Sequence, residues 1–166
     1  MAKNYRGLIL LLILSAFVVT SCKGDSAVFT DAQPDLSART PSQLQLENEI
    51  KTSLMLHSDA EILDMADIAQ FDWDVLYIFG ENTSYTAINK ALGMQWLPNR
   101  SFYIEELTDL LVFVQGKQVV NHVVIEGDIF VATTVRGFER NEALFKVKDT
   151  QDVNRPKVLI SLLIEQ

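Results

Sequence analysis

The chain predicts an α+β fold: an antiparallel sheet of about five strands, with one or two helices near the N-terminus or inserted between strands. Three observations carry this. Val75–Phe79 is rich in β-branched and aromatic residues and stops at Gly80. Leu110–Val114 and Gln118–Ile125 are apolar on both faces and flank a Gln-Gly-Lys turn. Leu46, Ile50 and Leu54 recur at four-residue spacing ahead of all these strands, which describes a helix.

Taken in order, the first element is an amphipathic helix over about 42–56, with Glu47, Glu49 and Lys51 between its apolar positions. Residues 58–70 satisfy two patterns. Ser58-Asp-Ala-Glu61 fits a capping box, with Ile62, Met65, Ala66 and Ala69 on one helical face. Glu61–Asp64 also fits a short strand followed by one turn around Met65–Ala69, and this pattern is preferred. Val75–Phe79 reads as a strand buried on both faces. Thr83-Ser84 can cap a short helix, Tyr85–Leu92, with Gly93 at its stop. Trp96 and Leu97 are expected to fold back onto the core before Pro98. Asp109–Glu126 forms the clearest hairpin, and Gly127-Asp128 makes the next turn. Ile129–Thr134, Ala143–Lys148 and Val158–Ile164 read as further strands, the last two joined by a polar loop over 149–156. The apolar run VLISLLI is equally compatible with a helix, because so short a run does not define its own period.

Composition agrees with a folded chain. At 166 residues, 48% hydrophobic and 22% charged, it suits one domain plus an attachment segment. No repeat of solenoid or propeller length is visible.

The N-terminus follows different rules. Lys3 and Arg6 precede an apolar run of 12 residues, Leu8–Val19, and small residues follow. A membrane-spanning helix needs about 20 apolar residues, so the run reads as an export signal over 1–21. Val19-Thr20-Ser21-Cys22 resembles the lipobox of bacterial lipoproteins, and Cys22 is the only cysteine in the chain. The resemblance implies cleavage before Cys22, a diacylglyceryl group on its thiol and acylation (palmitate among the chains) of the new amino terminus. Each buried CH₂ contributes roughly 0.8 kcal/mol, so two or three chains hold a protein on a membrane durably. Lys23 stands where an Asp would resemble an inner-membrane retention signal, which favours the outer membrane, periplasmic face, in a Gram-negative cell. Residues 22–42 are expected to be the lipidated cysteine and a flexible tether with a reach on the order of 25 Å, and 43–166 a single globular domain.

Charge narrows the partners. The formal net charge is −8, and removal of Lys3 and Arg6 with the leader leaves 12 basic against 22 acidic residues, or −10. Such a surface repels phosphate backbones, which excludes nucleic acid and favours a basic envelope protein as partner.

Candidate chemistry is sparse. Asp72 and Asp74 lie two apart, so extended backbone would put both carboxylates on one side about 7 Å apart, near the separation used by paired carboxylates in glycosidases. The same acids also suit the edge of a strand, where they accept backbone N–H groups, with Trp73 buried between them as a plug. His57 and His122 are too far apart in sequence to suggest a metal site, and neither EF-hand, Walker, G-x-G-x-x-G, G-x-S-x-G nor S-x-x-K patterns occur. No cofactor and no metal is expected. Tyr77, Phe79, Tyr85 and Trp96 suit either a ligand groove or the core.

Phe71-Asp72-Trp73-Asp74, Leu76-Tyr77-Ile78-Phe79, Thr83-Ser84-Tyr85 and the later Leu110–Val114 together resemble a family of small bacterial lipoproteins of unknown function. Members resemble this chain in having an export signal, a lipobox Cys, a tether and an F-D-W-D-x-L-Y-I-F segment. They often carry P-Y-T after the strand, where this chain has Glu81-Asn82-Thr83-Ser84-Tyr85. The resemblance implies a fold role for Trp73 and its flanking acids and no catalytic residues. The expectation is a lipid-anchored envelope protein with a non-enzymatic binding or structural role. Alternatives are an inhibitor of a cationic enzyme such as a lysozyme, or a hydrolase using Asp72 and Asp74.

Overall fold

The computed structural model describes residues 34–131 and 136–162. The leader over 1–21, Cys22 and the tether up to residue 33 lie outside the described residues.

Helix α1 runs Pro41–Leu56, and its start is set by local chemistry. Thr40 Oγ1 accepts from the Gln43 N–H while Gln43 Oε1 accepts from the Thr40 N–H, a reciprocal capping box with proline at the first helical position. Leu46, Ile50 and Leu54 form the buried stripe. At the other end, Lys157 Nζ donates to the carbonyls of Met55 and His57, placing a cation at the negative end of the helix. The fold begins upstream of residue 43, within the segment expected to be tether. Arg39 bridges Glu47 and Glu126, each at 2.9 Å, and Leu36 packs against the core. An arginine between two acids and one half-buried leucine are enough to dock this stretch.

The preferred reading of 58–70 matches the structure. β1 is Ile62–Asp64 and α2 is Met65–Ile68, with Asp64 Oδ1 accepting from the Ala66 N–H. β2 (Val75–Phe79) leads to α3 (Tyr85–Leu92), which Ser84 caps and Gly93 ends at φ +67. β3 (Thr108–Gln115) and β4 (Gln118–Glu126) form the predicted hairpin, with Gly116 at φ +58 in the turn. β5 (Phe138–Glu139), β6 (Leu144–Asp149) and β7 (Lys157–Ser161) complete the fold. The C-terminal run is therefore strand up to Ser161.

The domain is α+β with antiparallel pairing, but among the described residues seven strands form two sheets rather than one of about five. Their orders are β1-β6-β7 and β4-β3-β2-β5. Pairing partners explain the split. β6 takes β1 and β7 as neighbours, while β2 sits between β3 and β5. The strand expected from Ile129 is reduced to a bridge. Phe130 lies parallel to Leu159, with Val131 N–H donating to Leu159 O and Leu159 N–H to Ile129 O. Residues 132–135 lie outside the described residues.

Two cores flank the larger sheet. Leu111, Phe113, Val123 and Ile125 face the smaller sheet and α1. Leu110, Val112 and Val114 face Ile88 and Leu92 of α3 and the returning Leu97. The edge pairing of β5 on β2 depends on Gly137, where an added Cβ would lie 2.3 Å from Val75 Cγ1 and 2.9 Å from Tyr77 Cζ. Gly137→Ala is expected to cost about 1–3 kcal/mol through overpacking, measured as a lower urea midpoint. An unchanged midpoint would show that β5 shifts freely on β2.

Candidate functional site

Asp72 and Asp74 are both exposed but are not brought together as a reaction centre. Asp74 Oδ2 accepts the Gly116 N–H at 2.7 Å, its own N–H donates to Val114 O, and its carbonyl accepts from Arg140 N–H. It ties the β3–β4 turn, the start of β2 and the β5 edge together. Asp74 also lines a shallow depression of about 600 Å³ beside Asp64, Glu139 and Arg140, and Asp72 does not line it. The Asp72–Asp74 pair suggested by the spacing is therefore not assembled in that depression.

Trp73 is the plug. It is 2% exposed, meets Phe113 edge-on at 5.4 Å and donates its indole N–H to Ala69 O at 3.1 Å. Arg140 stacks over its ring at 5.0 Å and donates to Phe71 O, so the cation both covers the tryptophan and holds the segment before β2. His122 is half-buried, within reach of the Gln43 amide and edge-on to Trp96, and burial lowers its pKa. His57 Nδ1 sits 2.7 Å from Ser53 O at the end of α1. Among the described residues no cluster of three or more His, Cys, Asp or Glu is arranged to hold a metal. No helix among them is long and apolar enough to cross a membrane.

The most perturbed acid is one that the sequence reading passed over. Asp109 is fully buried on β3, on the face that carries Leu111 and Phe113. Its Oδ2 accepts the Phe130 N–H at 3.0 Å, which pins the Gly127–Val131 crossover between the sheets, and its Oδ1 has no partner. Burial pushes its pKa up to about 7, outweighing the Phe130 N–H, with Asp128 adding to the rise and Arg155 opposing it. Buried between the sheets and bonded to the Phe130 N–H, the position suits a structural clamp.

Three exposed apolar side chains lie close together in sequence elsewhere, on the 99–107 loop. Asn82 N–H donates to Ile104 O, Ile104 N–H to Thr83 O and Tyr85 N–H to Phe102 O, which zips the loop to the start of α3. Ile104 is buried beneath, while Phe102, Tyr103 and Leu107 stand 49%, 58% and 64% exposed. Tyr85 packs 5.7 Å from Phe102. Leu107 takes φ +53, which a leucine rarely adopts, and it is held there by Glu81 Oε2 accepting its N–H and by Gly127 N–H donating to its carbonyl. The surround is acidic. Glu81, Glu105, Glu106 and Asp35 are exposed, with Arg100 the cation on the same loop. The Tyr85 phenol has its pKa raised by burial and then by Glu105 and Asp35. The sequence signal was the string Phe102-Tyr-Ile-Glu-Glu-Leu107, but Tyr85 and Glu81 join it only through tertiary pairing.

No protein-family model, curated protein or solved structure matches the chain.

Two predictions follow from these roles. Asp74→Ala should lower stability by about 0.5–1.5 kcal/mol, whereas Asp72→Asn should stay within about 0.5 kcal/mol, both read from urea unfolding. Equal effects would mean that Asp74 does not tie the turn. For Asp109 the folded pKa lies above the unfolded one, so the folded state holds the proton more tightly. Its contribution is full below about pH 4 and declines as pH rises to about 7, by on the order of 4 kcal/mol. Stability of wild type relative to Asp109→Asn should therefore fall between pH 4.5 and 8 (assay values of about this size). A constant difference would contradict a proton on the buried carboxyl.

Proposed function

We propose that the chain is a lipid-anchored cell-envelope protein, attached through Cys22, whose acidic domain binds a basic protein partner without catalysing a reaction. The observation that carries this reading is the exposed trio Phe102, Tyr103 and Leu107 set among Glu81, Glu105 and Glu106. Aromatic residues at the centre and charge at the rim is the usual anatomy of a protein interface. The net charge of −8, or −10 after removal of residues 1–21, would steer a cationic partner toward it. The lipobox resemblance at Val19–Cys22 supports the anchor, and Lys23 supports the outer membrane of a Gram-negative cell. Inhibition of a cationic enzyme such as a lysozyme is a special case of the same surface. A hydrolase using Asp72 and Asp74 draws no support from the geometry, because Asp74 is engaged by Gly116 and Asp72 lies outside the depression.

The full chain, purified from membranes in detergent, should carry an acylated Cys22 by mass spectrometry. A free thiol with residue 1 retained would end the anchor reading. The same preparation should bind lysozyme, used as the cationic probe. Binding should weaken as ionic strength rises from about 0.01 M to 0.1 M, where the Debye length falls from about 30 to about 10 Å. Tyr103→Ser with Leu107→Asn should weaken it about thirtyfold, the size of one interface hot spot. Binding that ignores both salt and these substitutions would overturn the proposed surface.

A further inference from the structure

A second surface, remote in sequence from the acidic patch, has different chemistry. A groove of about 980 Å³ runs between α1 and the connection from α2 to β2. Its α1 wall carries Ser42, Gln45, Asn48 and Thr52, spaced so that all four project along one exposed stripe of the helix. Gln70 and Asn121 supply polar groups from the remaining sides. The exposed stripe of a helix ordinarily carries charged side chains; this one is mostly amide and hydroxyl.

Hydrogen-bond capacity along the groove is partly unspent: Ser42 Oγ shares one bond with Thr40 Oγ1, and Gln70 Nε2 donates to Asp67 O at 3.4 Å. Among the described residues the Asn48 amide and the Thr52 hydroxyl make no hydrogen bond in the fold. Gln45 uses one N–H on Glu49, and Asn121 uses its carbonyl on the His122 N–H. Apolar surface lies alongside: Leu44 is exposed, and half-buried Phe71 is fixed edge-on to Phe113 at 5.1 Å. No lysine or arginine lines the groove, and its charged members are Glu49 and Asp67.

We propose that this groove binds a neutral oligosaccharide. The reasoning is one of complementarity. Asn and Gln amides present one acceptor and two donors each, which match vicinal hydroxyls and acetamido groups. Carboxylates such as Glu49 and Asp67 accept from hydroxyls. The flat apolar faces of pyranose rings suit Phe71 and Leu44. Phosphate or carboxylate ligands would meet two acids and no cation, which disfavours them. The volume lies within the range of small-ligand sites, about 300–1,000 Å³. This site stands apart from the cationic-partner surface and does not depend on it.

The test is saturation-transfer NMR on the full chain in detergent, with chitotriose, cellotriose and a trigalacturonate as probes. Transfer to the ring protons of at least one neutral trisaccharide is expected, with none to the trigalacturonate. Gln45→Ala with Asn48→Ala should weaken that binding at least tenfold. Alanine favours helix at these exposed positions, so the unfolding midpoint should not drop. Gln70→Ala, on the other wall, should weaken binding as well, while Tyr103→Ser with Leu107→Asn should leave it unchanged. Absence of transfer to either neutral probe, equal transfer to the charged one, or wild-type binding in both groove variants would overturn the proposal.

Discussion

Burial of β3 on both faces is the constraint on which the rest of the structure depends. Seven consecutive residues, Thr108–Val114, are buried, so the strand needs cover above, below and on each side. Hydrogen bonds to β2 and β4 satisfy its edges. The smaller sheet and α1 cover one face, while α3 and Leu97 cover the other. Each fully buried large apolar side chain contributes about 1.5–3 kcal/mol relative to exposure. One strand thus couples two layers that would otherwise be separate clusters. Asp74 guards the end of β3 at the turn, and Asp109 sits near its beginning, where it holds the crossover into the second sheet.

This arrangement also decides which surfaces are left for function. Asp74 is absorbed into fixing the β3–β4 turn and the start of β2, and Trp73 is closed over by Arg140. Two surfaces remain that the core does not use. One is aromatic and acid-rimmed, displayed by the 99–107 loop over buried Ile104. The other is an amide-lined trough along α1. Asp109, whose pKa burial raises, is sealed between the sheets.

Much of the fold was legible wherever the determinants are local. The α1 stripe at Leu46, Ile50 and Leu54, the Ser84 cap with Gly93 beyond it, and the Gly116 turn each lie within a few residues of what they control. The division into two sheets was not legible, because it depends on which distant strands β6 and β2 choose. β5, at two residues, leaves almost no periodic signal, and its placement rests on the missing side chain at Gly137. Asp109 could have been found: it alternates with Leu111 and Phe113, so its face was marked as interior. The docking of the stretch before α1 escaped because it rests on Arg39 and Leu36, single residues in a polar stretch. Both candidate surfaces escaped because Tyr85 meets Phe102, and Gln70 and Asn121 meet α1, only after folding.

Native-state hydrogen exchange tests the central claim most directly, because it reports how firmly each backbone amide is held. If β3 couples both layers, the amides of Leu110–Val114 should be the slowest in the domain and should open only with global unfolding, and α1 and α3 should lose protection separately and sooner. A β3 that opens by a cheaper local route than α1 or β7 would contradict the account.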